Sequence, residues 1–166
     1  MKPVIAQRNK SIFLKAFNDL WNLEEAIKVV DERKLIDYQL SILGKLILKG
    51  SNNVKIDGEE VVKMNLYTKK LLGNSTNFGI FNNPDIGVLF IAGFLTEIFL
   101  HEINKKPLGA LTTGPYGILR GVGVHAEQTT RYLKSLRNDN YLLILRGIDF
   151  ELVELDELLE RFYISD

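Results

Sequence analysis

Residues 118–147, ILRGVGVHAEQTTRYLKSLRNDNYLLILRG, carry the strongest structural pattern in the chain. Gly121 and Gly123 can adopt the positive φ angles that a tight turn requires, so the segment around them is predicted as a glycine-rich turn. From residue 126, apolar side chains recur at spacings of three and four, which predicts an amphipathic helix ending near residue 138. The apolar run at 141–145 then predicts a strand that is buried on both faces.

The segment before this stretch predicts a first strand–helix–strand unit. Residues 11–17 alternate loosely and are predicted as a strand. Asn22, with a glutamate three residues later, has the pattern of a capping box and predicts a helix over 23–34. Residues 38–48 predict a second strand, in which Gly44 indicates a bulge or a bend.

The middle of the chain alternates between turn-forming and apolar segments. Residues 50–58 and 73–85 are rich in glycine and asparagine and are predicted as loops. Between them, 59–72 has a weak helical period through Val62 and Leu66. The apolar residues 87–93 predict a third strand, and 94–103 a helix that follows it.

The last residues differ from the rest in being acidic and rich in leucine. Residues 151–165 keep a helical spacing of apolar positions, so this tail is expected to pack back on the domain or to dock on a partner subunit. The predicted organisation is therefore an α+β domain over 1–150, with an insertion at about 50–85, and an amphipathic tail over 151–166.

The order of elements predicts an α+β fold of the ferredoxin-like, split βαβ type. Such a sandwich has a four-stranded antiparallel sheet with two crossover helices on one face; here it would carry an inserted middle segment and a C-terminal helix. Because the second, third and fourth strands are apolar on both sides, the other face must be covered as well. The candidates for this cover are the segment 59–72, the tail and a second copy of the chain.

Size and charge narrow the class of protein. The 166 residues suffice for one buried core, and the absence of cysteine excludes disulfides and thiolate metal sites. Twenty-one basic and 21 acidic residues give no electrostatic argument for nucleic acid. Residues 1–10 lack the pattern of a secretory signal, so the cytoplasm is the expected compartment. The apolar segment 86–100 is interrupted by Glu97 and is too short to span a bilayer, so no integral membrane association is expected.

The chain resembles the bacterial general-stress and heat-induced stress proteins, including their low-temperature-induced relatives. The similar motifs are LEEAIKVV at 23–30, SILGK at 41–45, AGFL at 92–95, GVHAE at 123–127 followed by Tyr132, and YLLILR at 141–146. Phe94 and His125 stand where the family has proline. The resemblance implies a ferredoxin-like fold and a stress-linked protein without an established activity, and it brings no catalytic residue and no cofactor.

Two groups of side chains are candidates for binding. The segment GPYGILRGVG at 114–123 could cradle a phosphate through free backbone amides, with Arg120 as a fork-shaped donor. The ligand-binding residues predicted on this basis are Gly114, Tyr116, Gly117, Arg120, Gly121 and Gly123. Glu97, His101 and His125 are weak candidates for a metal site, which requires that they converge in the fold.

Three functions are therefore open at the level of sequence. The first is a non-enzymatic, stress-related or regulatory module that forms a homo-oligomer, because a sheet that is apolar on both faces and an acidic leucine-rich tail both need partners. The second is a small-ligand or anion sensor that uses the 114–123 turn. The third is a metal-dependent enzyme that uses the glutamate and the two histidines.

Overall fold

The computed structural model describes residues 9–46 and 58–160. In these ranges the strands are β1 Lys10–Phe17, β2 Tyr38–Lys45, β3 Phe78–Asn83, β4 Gly87–Gly93, β5 Glu102–Ile103, β6 Lys106–Pro107 and β7 Tyr141–Ile148. The helices are α1 Leu20–Glu32, α2 Glu59–Leu72, α3 Thr96–Leu100, α4 Gly114–Gly121, α5 Ala126–Arg137 and α6 Asp149–Leu159. Residues 50–57 of the loop predicted at 50–58, residues 161–166 of the tail, and residues 1–8, which belong to the segment without a secretory-signal pattern, lie outside the described residues.

Five strands form one antiparallel sheet in the order β1–β7–β2–β4–β3. Strand β7 pairs with β1 on one side and with β2 on the other, and its residues 142–145 are fully buried. The α+β class and the interior position of the strand predicted at 141–145 are thus confirmed. The two strand–helix–strand units, β1–α1–β2 and β4–α5–β7, are interleaved in the sheet. Strand β7 of the second unit lies between β1 and β2, and strand β2 of the first unit lies between β7 and β4.

The fifth strand is a correction to the predicted count of four. Residues 78–83, predicted as loop, form β3 and pair with β4 from Phe78 opposite Ala92 to Asn83 opposite Gly87. Glycine and asparagine on either side of this segment indicated a loop, but pairing with the apolar β4 determines its conformation. Phe81 is buried against the core, while Phe78 and Ile80 pack partly against the opposite side of the sheet.

Helices cover both faces of the sheet. Helices α1, α2 and α6 pack on one face around Phe17, Phe90 and Leu143, and this is called the α1 face below. Helices α3, α4 and α5 pack on the other face around Leu43 and Ile144. The expectation that both crossover helices share one face is therefore wrong for α1 and α5. Two of the three segments predicted to cover the sheet, 59–72 and the tail, lie together on the α1 face. The chain's own helices therefore form the layer on each face of the sheet.

Helix α1 begins earlier than predicted. Its cap is Asp19, whose carboxylate accepts the backbone N–H of Asn22 at 2.8 Å, so Asn22 lies in the first turn instead of capping it. This start keeps Leu23 and Ile27 on the buried face and adds the partly buried Leu20 to it. The earlier cap therefore extends the apolar contact of the helix by one turn.

Gly44 does not form a bulge but pairs regularly with Phe90 across β2 and β4. Instead, two aromatic rings close over it. A Cβ atom at residue 44 would lie 2.6 Å from Tyr141 Cδ1 and 2.8 Å from Phe90 Cε1. The glycine therefore allows the rings of Phe90 and Tyr141, with centroids 6.3 Å apart, to pack across the middle strand.

The helix predicted at 94–103 is shorter in the structure. Only Thr96–Leu100 is helical, and the small hairpin of β5 and β6 follows it. The helix ends at His101, whose ψ angle of 123° is no longer helical. Asn104 and Lys105 have φ angles of 53° and 68° and form the turn of this hairpin. Because the chain reverses here, Ile103 lies exposed on the hairpin, whereas a helix over 94–103 would have turned it inward.

Candidate functional site

The predicted glycine-rich turn is a helix. Pro115 stands in the first turn of α4, where proline is well tolerated, and Ile118 and Leu119 bury their side chains in the core. Apolar contact by these two residues outweighs the helix-weakening effect of the glycines. The prediction of a turn at 114–123 is therefore wrong up to Gly121, and only the link from Val122 to α5 has the conformation of a turn.

The six residues predicted to bind an anion do not form a cradle. Gly114 is buried, whereas Tyr116, Gly117, Arg120, Gly121 and Gly123 are exposed. The N–H of Gly117 is donated to the Thr113 carbonyl and that of Gly123 to the Arg120 carbonyl, so these amides are already used inside the helix and its end. An anion at this position would have to compete with those backbone hydrogen bonds.

Arg120 has a structural contact in place of the predicted ligand contact. Its guanidinium donates a 3.0 Å hydrogen bond to the carbonyl oxygen of Val124, which lies just before α5. Gly123, with a φ of +113°, provides the sharp change of direction between the two helices. The arginine therefore holds the corner between α4 and α5.

The three weak metal candidates lie on separate parts of the surface layer. Glu97 and His101 are exposed in α3 and just after it, and His125 is exposed at the start of α5. Over residues 9–46 and 58–160, no group of three or more histidine, cysteine or acidic side chains could hold a metal ion. The structure thus does not gather these side chains into one site.

A cavity of about 310 Å³ lies between the start of α1, helix α2 and the ends of β2 and β7. Its lining is mainly apolar and consists of Leu20, Lys45, Leu46, Glu60, Lys63, Met64, Tyr67 and Tyr141. No sequence pattern indicated it, because its residues come from four elements that are distant along the chain. Such a space suits a small apolar or aromatic molecule.

Two polar groups of this cavity, those of Lys45 and Tyr67, have partners in the protein. Lys45 Nζ donates a 2.8 Å hydrogen bond to the Arg137 carbonyl oxygen and lies 3.2 Å from a carboxylate oxygen of Asp139. Tyr67 Oη donates at 3.0 Å to Glu24, and burial followed by this hydrogen bond raises the pKa of Tyr67. Hydrogen-bonded phenols and paired lysines can orient a bound ligand.

The two edges of the sheet differ in how they are protected. Strand β1 carries Lys10 and the buried Lys15, and Tyr132 Oη donates a 2.7 Å hydrogen bond to the Leu14 carbonyl oxygen of that strand. Charges on an edge strand and occupied edge carbonyls hinder the addition of another strand. Strand β3, FGIFNN, carries no charge and, in the described part of the chain, pairs with β4 alone.

Helix α2 borders this uncharged edge and exposes apolar side chains. It contacts β3 and β4, and Thr68 is its one fully buried residue. Val62 is 54% exposed and Leu66 is 64% exposed, although their spacing is what indicated a helix in the sequence. The side of α2 that carries Tyr67 faces α1, so Val62 and Leu66 project away from both α1 and the core. These residues, together with β3, are called the β3–α2 surface below.

Comparison of the chain with family models, with curated proteins and with solved structures finds no match in any of the three. None of the helices in residues 9–46 and 58–160 combines the length and apolar character needed to cross a membrane.

Proposed function

We propose that this protein is a non-enzymatic module that associates with further copies of itself, with a stress-related or regulatory role. The observation that carries the proposal is the β3–α2 surface, where the edge of β3, which no other strand of the described residues pairs with, lies beside two exposed apolar side chains of α2. Unpaired backbone groups and apolar side chains both gain from the exclusion of water, and antiparallel pairing between copies provides it. The helices of the chain cover both apolar faces of the sheet, so the proposed contact between copies lies at a sheet edge instead.

The proposed stress-related role rests on the resemblance of the motifs to general-stress proteins. Two of these motifs have a defined place in the fold, which supports the resemblance. Tyr132 of α5 donates a hydrogen bond to the Leu14 carbonyl oxygen of β1, and the segment 141–146 lies in the interior strand β7. We also propose that the interleaved units β1–α1–β2 and β4–α5–β7 are a variant of the ferredoxin-like split βαβ arrangement, which differs from it by the edge strand β3 and by having α1 and α5 on opposite faces.

The test of self-association is light scattering coupled to size-exclusion chromatography over a wide range of protein concentrations. We expect the mass to rise with concentration, and Leu66→Glu to keep it at that of a monomer, because the new charge would be buried between copies. Val153→Glu, at an equally exposed apolar position on α6 (58%), is the matched control and should behave as wild type. A monomeric mass for the wild-type protein at every concentration would refute the proposal.

A second candidate function is binding of a small ligand, now assigned to the cavity between α1 and α2 and not to the segment 114–123. The 310 Å³ apolar space favours it. A thermal-shift screen with small aromatic and aliphatic compounds tests it, and Met64→Trp, which would fill the cavity, should abolish any stabilisation. Arg120→Ala should leave a true cavity ligand's effect unchanged.

A further inference from the structure

We propose that the partner at the β3–α2 surface is a second copy of this chain, bound through antiparallel pairing of β3 with β3 and side-by-side packing of the two α2 helices. This inference rests on the proposed self-association and specifies its geometry. The five-stranded sheet would then continue without interruption from one copy into the other.

The choice of β3 over β1 follows from the unequal protection of the two edges. An added strand beside β1 would meet Lys15, which is paired with Asp156 at 3.4 Å, and a Leu14 carbonyl oxygen already bound by Tyr132. Beside β3 it would meet uncharged side chains only. A strand can therefore add beside β3 without disturbing an ion pair or a side-chain hydrogen bond of the kind found on β1.

Symmetry links the strand pairing to α2. Two identical strands that pair antiparallel are related by a two-fold axis, which here stands perpendicular to the sheet at the shared edge. Such an axis reverses the direction of every element that lies along the sheet. Because α2 packs on the sheet next to β3, the two copies of α2 would run antiparallel to each other.

The charge pattern of α2 suits an antiparallel arrangement with itself. Glu59 and Glu60 stand in its first turn and Lys69 and Lys70 in its last, with Val62 and Leu66 exposed between them. In antiparallel helices the acidic end of one copy lies beside the basic end of the other, and the apolar residues meet near the axis. A parallel pair would place like charges together at both ends, so the pattern favours the two-fold symmetric partner.

The opposite face of the sheet provides a further apolar contact. Helix α3 packs against β3 from that side, and its Ile98 is 41% exposed. The same two-fold axis would bring the surroundings of Ile98 in the two copies towards each other. Exposed apolar side chains thus flank the β3 edge on both faces, as an interface centred on that edge requires.

Charge reversal at the ends of α2 is the sharpest test. We expect Glu59→Lys alone and Lys70→Glu alone each to raise the dimer dissociation constant roughly tenfold, since each replaces two attractive contacts by repulsive ones. Mixing the two variants should restore association as a heterodimer, because opposite charges then face each other again. Two-colour fluorescence cross-correlation or analytical ultracentrifugation measures both effects.

The matched controls are Glu127→Lys and Lys134→Glu, which reverse charges at exposed positions in the first and last turns of α5. They carry the same unfavourable interaction with the helix dipole but should not change the dissociation constant. Circular dichroism confirms folding of every variant. If α2 charge reversals and these controls have equal effects on association, the proposed geometry is wrong.

Hydrogen exchange of the wild-type protein provides a test without substitutions. Amides of β3 and α2 should exchange more slowly at high than at low protein concentration, while those of β1 should not depend on concentration. Concentration-dependent protection elsewhere, for example on α6, would overturn this geometry and leave self-association standing. A strict monomer without any concentration dependence would instead refute both proposals.

Discussion

At the scale of single residues, two glycines of similar appearance in the sequence have opposite structural roles. Gly44 is enclosed by Phe90 and Tyr141, so a larger side chain has no space there. Gly117 lies on the exposed side of α4, where a Cβ atom would have no neighbour within 4 Å. The first glycine is required by packing, while the second only weakens its helix.

We therefore expect substitutions by alanine to change stability in opposite directions. Gly44→Ala should lower the free energy of unfolding by about 1–3 kcal/mol, since the two rings must move apart. Gly117→Ala should raise it by about 0.5–1 kcal/mol, because alanine is the better helix former. Urea unfolding monitored by circular dichroism measures both changes. Equal unfolding midpoints for Gly44→Ala and wild type would contradict the prediction, because the two rings would then move apart without loss of stability.

Asn83 is another residue whose role depends on its surroundings. Its side-chain amide donates to the carbonyl oxygens of Gly109 and Leu111 at 2.9 and 3.0 Å, and its side-chain oxygen accepts the N–H groups of Asp85 and Ile86. This buried asparagine thus joins the β3–β4 turn to the segment before α4. In the sequence it is one of several asparagines that only indicate a loop.

At the scale of elements, the contact between α1 and α2 places a phenol in a partly buried position. Tyr67 Oη donates its proton to Glu24 at 3.0 Å and lies 3.4 Å from the Leu20 carbonyl oxygen. Burial, and after it the hydrogen bond to Glu24, raises the pKa of Tyr67 above its usual value. The folded protein therefore keeps a proton on this hydroxyl at a pH where the unfolded chain has lost it.

The consequence is a loss of stability in alkaline solution. Above pH about 10, the ordinary pKa of tyrosine, the unfolded chain binds fewer protons than the folded one, so the free energy of unfolding falls as pH rises towards the raised pKa. Tyr67→Phe should be less stable than wild type at pH 7 by about 1 kcal/mol, through the lost hydrogen bond. Between pH 9 and 11 (a range of about two units around the tyrosine pKa), the free energy of unfolding of Tyr67→Phe should fall less than that of wild type. If the two proteins lose stability in parallel over this range, Tyr67 is not the source of the pH dependence.

At the scale of the whole molecule, the C-terminal helix belongs to the core. Leu152, Leu155 and Leu159 of α6 are buried among residues of α1, β1 and β7. Arg33 and Glu154 form an ion pair at 3.0 Å between the end of α1 and α6. Of the two roles expected for the tail, packing on its own domain is the one that the structure has, as far as residue 160.

Loss of α6 contacts should accordingly destabilise the whole fold. Leu155 is 0% exposed, and Leu155→Ala should lower the free energy of unfolding by about 2–5 kcal/mol through the lost burial and the cavity left behind. Val153→Ala, on the exposed side of the same helix, should change it by no more than about 0.5 kcal/mol. Chemical denaturation with two probes, tryptophan fluorescence and circular dichroism, tests whether the loss is global.

The candidate site was less predictable than the fold. Arg120 and the glycines near it have the composition of an anion-binding turn, but burial of Ile118 and Leu119 draws them into a helix. The β3–α2 surface had no visible pattern, because an edge strand is defined by the absence of a neighbour on one side. Whether Val62 and Leu66 face the core or the solvent depends on where α2 packs, and their spacing is the same in either case.

Local sequence was sufficient for the α+β class, the amphipathic helix at 126–137 and the buried strand after it, because periodicity and turn residues act over a few neighbouring positions. Only the tertiary structure decided the strand order, the extra strand β3, the helix at 114–121 and the layers on both faces. These depend on contacts between distant segments, such as Phe78 with Ala92 or Tyr67 with Glu24, whose free energy outweighs weak local preferences.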